Sequence, residues 1–138
     1  MSNVRQIRDK MPENEKITIN LGFVDLGRID LLVQEGFYSN RSDFIRTAIR
    51  NQLDHQSDTV RQSIDRHTME LGLRDYSVAD LEAVRAANEM LHVKVVGLAR
   101  IASDVTPELA LATIGSITVL GALQASAEVK KALGARIS

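Results

Sequence analysis

The segment Lys16-Ile17-Thr18-Ile19-Asn20-Leu21 alternates polar and apolar side chains with the period of a β-strand, yet nothing between it and Leu53 offers that strand a partner. Ile17, Ile19 and Leu21 share one face, which has to be buried. Lys16, Thr18 and Asn20 share the other, a short row of hydrogen-bonding side chains. The pattern then turns helical: Leu26, Ile29 and Val33 fall at i, i+3 and i+7, with Leu32 widening the stripe, and a second stripe runs through Phe44, Ile45, Ala48, Ile49 and Leu53. Gly36, between the stripes, is the residue that most readily turns left-handed to end a helix. Ser39 or Asn40, with Asp43 at capping-box spacing, starts the next. A strand and two short helices bury too little apolar surface to fold alone, and the strand's backbone groups need partners. A homodimer meets both needs. Two strands pair antiparallel into a ribbon, and four helices pack beneath it over a core of Ile17, Ile19, Leu21, Leu26, Ile29, Phe44, Ile45 and Ile49.

Strand, helix, glycine turn and capped helix, with Tyr38-Ser39-Asn40-Arg41-Ser42-Asp43-Phe44-Ile45-Arg46 after Gly36, make residues 16–55 resemble the ribbon-helix-helix family of bacterial transcription regulators, the CopG, Arc and MetJ type. The resemblance implies a fold and a use. Its two-stranded ribbon would lie in the major groove of double-stranded DNA with Lys16, Thr18 and Asn20 as base readers. Their chemistry suits that role, since lysine donates to guanine acceptors, asparagine pairs bidentately with adenine, and the threonine methyl meets the thymine methyl. The same resemblance assigns Ser39, Asn40, Arg41 and Ser42 to a DNA phosphate, held at the start of the second helix by free N–H groups and the helix dipole. Where many members carry a proline after the strand, this chain has Gly22-Phe23.

Charge tempers the electrostatic side of this reading. The formal net charge is −1 and the isoelectric point near 6.3, not the basic footprint of a chain that holds DNA by bulk electrostatics. Dimerisation gathers two copies of Arg5, Arg8, Lys10, Lys16 and Arg41, diluted by Asp9, Glu13 and Glu15. Specificity is therefore expected from a few contacts and from arrays of adjacent sites. Residues 1–15, broken by Pro12-Glu13-Asn14, read as a flexible arm whose Arg5, Arg8 and Lys10 would touch the phosphate backbone once DNA is bound.

The absence of cysteine removes disulfides, thiolate catalysis and Cys-based metal sites. No Ser-His-Asp order, glycine-rich phosphate loop or cleft-forming carboxylate pair stands out, so no catalytic residue, cofactor or metal is expected. His55, His67 and His92 are too scattered to make a metal sensor the first reading. With no apolar leader and no run approaching a membrane span, the chain is expected in the cytoplasm, away from membranes.

Beyond Leu53 the stripe thins to Val60, Ile64 and Leu71, a helical spacer over 56–90 stopped first at Gly72 and resumed by the capping box Ser77-Val78-Ala79-Asp80 as a helix over 78–90. Lys94-Val95-Val96-Gly97-Leu98-Ala99-Arg100-Ile101 and Thr118-Val119-Leu120-Gly121-Ala122-Leu123-Gln124-Ala125 are two copies of one pattern. Both read as strands, with a helix from Thr106-Pro107-Glu108 to about Ile114 between them and a last helix over 126–133; the rival is a continuous alanine-rich helix pair over 108–133. Residues 91–138 are too apolar to face water and are expected to be a small α/β oligomerisation or ligand module.

The expected whole is α+β: a ribbon-helix-helix dimer, a helical spacer, and a C-terminal module that joins dimers into tetramers or larger arrays. The expected function is sequence-specific transcriptional regulation, most simply repression. The alternatives are an antitoxin whose C-terminal part wraps a toxin, or a ligand- or metal-responsive regulator.

Overall fold

A computed structural model describes residues 13–138, which form two compact units, Asn14–Ser63 and Ile64–Ser138, the latter joined by Glu13. The arm expected at the N-terminus lies almost wholly outside the described residues.

In the first unit, residues 14–22 carry no helix and no strand, and α1 (Phe23–Gln34) and α2 (Arg41–His55) follow. The strand expected at 16–21 is thus not formed within one chain, because a strand exists only through its ladder partner and none lies among the described residues. Gly36 closes α1 in the left-handed conformation (φ +87°), with Phe37 N–H donating to the Leu32 carbonyl and Gly36 N–H to that of Val33. The ring of Tyr38 then meets Phe44 edge to face, centroids 5.0 Å apart, fixing how the chain enters α2.

Helix α3 (Ser57–His67) follows at once. The spacer expected over 56–90 is helical only in part. Thr68 adopts a left-handed conformation (φ +55°), and Met69 N–H bonds back to the Ile64 carbonyl at 3.0 Å, so the helix stops before Gly72. Glu70–Tyr76 is a strand, β1. Helix α4 (Val78–Ala86) carries both bonds of the Ser77–Asp80 capping box and ends earlier than expected, through Asn88 (φ +55°).

The rest alternates strand and helix: β2 (Leu91–Ile101), α5 (Pro107–Thr113), β3 (Ile114–Gln124), α6 (Ala127–Leu133) and a 3₁₀ turn over Gly134–Arg136. The sheet is parallel, in the order β1-β2-β3. The two sequence copies thus stack in register, Lys94 beside Thr118, and the helix pair over 108–133 is not formed. Threonine and serine caps, Thr106 Oγ1 to Leu109 N–H and Ser126 Oγ to Val129 N–H, each 3.2 Å, start α5 and α6. Leu81, Leu109, Ala110, Val129 and Leu133 from the helices bury Val93, Val95, Ala99, Ile101, Ile114 and Ile117 beneath one face of the sheet.

Gly72, Gly97 and Gly121 are register partners at the middle of the three strands, with φ +129°, +139° and +121°. A Cβ on Gly97 would strike the Gly72 carbonyl, and one on Gly121 the Gly97 carbonyl. This glycine column lets the backbones of successive repeats approach closely.

Candidate nucleic-acid interface

Lys16, Thr18 and Asn20 are all exposed. Their neighbours Ile17 and Ile19 are 79% and 56% exposed, an unusual state for aliphatic side chains at alternate positions. Ile19 and Leu21 line an open apolar cleft of about 500 Å³ together with Ile29, Leu32, Phe44, Ile45 and Ile49. Of the expected dimer core only Ile29 is fully buried; Leu26, Phe44 and Ile45 are half-buried, and Ile17, Ile19, Leu21 and Ile49 are exposed. Within one chain this core is therefore unfinished.

At the start of α2 the Asn40 side chain accepts from Asp43 N–H at 2.8 Å, and the Asp43 carboxylate accepts from Ser39 N–H at 2.9 Å. The box is shifted by one residue from its usual form, in which the acid would reach the cap residue's own N–H. Arg41 and Ser42, the first two helical residues, have N–H groups with no acceptor inside the helix. The Arg41 guanidinium, expected on a phosphate, is engaged elsewhere: its Nε and Nη2 donate to the two carboxylate oxygens of Asp30 on α1, both at 2.8 Å. This bidentate pair holds the Asp30 carboxyl below the usual carboxylate range and lifts Arg41 further above its own. Sequence reading missed Asp30, which lies eleven positions from its partner with no local signal linking them. Ser42, Arg46 and Arg50, all exposed, follow one another at four-residue spacing along α2 and share a face, a helical signal that was available in the sequence.

In the second unit His92 Nδ1 lies 2.8 Å from Ser116 Oγ. Among the described residues no group of three or more His, Asp or Glu side chains is placed to hold a metal ion, and no helix is long and apolar enough to cross a membrane.

A model of the Ribbon-Helix-Helix transcriptional regulator family matches residues 12–130. The match runs through both units, so the glycine-stacked sheet is part of what the family model describes and not an appendage. No curated protein and no solved structure matches the chain.

Proposed function

The chain belongs to the ribbon-helix-helix transcriptional regulator family, and from that premise we propose that it is a sequence-specific DNA-binding repressor acting in the cytoplasm as a homodimer. One observation carries the reading. Residues 16–21 present three exposed hydrogen-bonding side chains at alternate positions, while the intervening aliphatic side chains are unburied and two of them, Ile19 and Leu21, border an unfinished apolar cleft. Pairing with the same segment of a second copy buries the one set and leaves the other for base edges in the major groove.

The phosphate would be held by the N–H groups of Arg41 and Ser42 and by the side chains of Ser39, Asn40 and Ser42. The Arg41 guanidinium then braces α2 against α1 through Asp30. The C-terminal unit links dimers into tetramers or larger assemblies, which supports filling of adjacent sites. Its well-packed core favours self-association over the antitoxin reading, in which that part would fold around a toxin.

Selection of duplexes from a random pool, followed by measuring transcription from promoters carrying the enriched sequence, tests the proposal. Enrichment of a short motif and lower transcription in the presence of the protein are expected. A pool that stays random overturns sequence reading, and higher transcription overturns repression.

A further inference from the structure

The helices α4, α5 and α6 cover one face of the parallel sheet; among the described residues no helix covers the other, whose centre is apolar. Strand parity and register place its side chains. Core residues of β2 are Val93, Val95, Ala99 and Ile101, so Val96 and Leu98 point the opposite way, flanked in register by Leu71 and Leu120, and by Leu73 and Ala122. Leu71 is 70% and Leu120 61% exposed. The rows on either side are polar: Lys94 beside Thr118 at one end, and at the other Arg100, whose Nε donates to Asp75 Oδ1 at 2.8 Å and whose Nη2 lies 3.6 Å from Glu13. All-parallel sheets occur almost only with both faces covered, so this face calls for an occupant.

We infer that the uncovered face packs against the same face of a second copy of this chain. The deduction rests on the proposal that the C-terminal unit self-associates, and it names the surface. The cations of this face, Lys94 and Arg100, are matched by Asp75 and Glu13, so it has no net charge to draw a nucleic acid, and an apolar centre between polar ends is compatible with its own copy across a two-fold axis. Area decides how the contact is used. The six aliphatic side chains make a patch on the order of 400 Å², the size of the largest patch on a typical monomer and often functional. A standard interface needs about 800 Å² per partner. One face falls short, whereas a ribbon dimer carries two faces, and two dimers meeting through both reach the required area with the second contact made intramolecular.

The full-length chain, free of cysteine, is suited to a direct test. Light scattering is measured on the native protein and on Leu120→Asp and Leu71→Asp, whose exposure lets each subunit keep its circular dichroism. Disulfide capture is measured on Leu98→Cys, at the middle of the central strand, against Lys131→Cys on α6. The expected result is a species larger than a dimer, reduced to a dimer by either aspartate, with intersubunit disulfide at Leu98→Cys and none at Lys131→Cys. A large species indifferent to both aspartates and without capture at position 98 overturns the assigned face and leaves the assembly reading standing. A plain dimer that captures at position 98 supports the face and overturns assembly. A plain dimer without capture overturns both, including the case in which residues 1–12 of the same chain lie over the face.

Discussion

Arg41 on α2 and Asp30 on α1 are joined by two parallel hydrogen bonds of 2.8 Å, so the cation at the proposed phosphate site is committed to the neighbouring helix. Arg41→Ala should therefore change the salt dependence of DNA binding by less than the one unit expected for a lost phosphate contact. It should instead lower thermal stability. A salt slope that falls by a full unit would return the guanidinium to the phosphate.

The same pair makes a pH prediction. The Asp30 carboxyl titrates below its unfolded value because of Arg41, so its contribution is present above the unfolded value and disappears as pH falls through the folded one. The difference in melting temperature between the native protein and Asp30→Asn should be largest near neutrality and shrink below about pH 4. Melting curves from neutrality down into acid check it; a difference that grows in acid contradicts it.

The glycine column orders three substitutions. Gly97→Ala and Gly121→Ala combine a disfavoured φ with a collision against the carbonyl of the preceding strand, whereas Gly72→Ala meets nothing within 4 Å and suffers only the φ. The strain alone costs about 1–3 kcal/mol. Urea denaturation should rank Gly72→Ala as the mildest of the three, and a Gly72→Ala as damaging as Gly97→Ala would mean that another strand occupies that edge.

The two units should differ in how they depend on concentration. Every member of the main buried cluster lies between Leu81 and Leu133, so residues 64–138 should unfold cooperatively as an isolated fragment. Residues 14–63 have an unfinished core, and the melting temperature of a fragment spanning 1–63 should rise with protein concentration. A concentration-independent melt for residues 1–63 would contradict the shared core.

Much of this architecture is legible in the sequence because the signals are local. Asn40, Ser77, Thr106 and Ser126 each lie beside the helix they cap, and Gly36 ends α1 where glycine is the expected left-handed residue. Strand β1 is not legible. Glu70 and Arg74 stand in register with the apolar Val95 and Ala99 of β2, so β1 lacks the hydrophobic signature of the other two strands. Thr68 also ends α3 in a conformation threonine seldom adopts. The row proposed to read bases is visible as a parity of side chains, but the strand it would need has no ladder partner among the described residues.

Everything proposed for DNA depends on residues 16–21 reading sequence as half of a shared ribbon. The sharpest measurement is the affinity of native protein and Asn20→Ala, at one fixed salt concentration, for the selected duplex and for a scrambled duplex of the same composition. A loss of about 1–3 kcal/mol is expected on the selected duplex, since an asparagine–adenine pair would be removed, and almost none on the scrambled one. Equal losses on the two duplexes would contradict ribbon readout, because a residue that reads bases must distinguish them.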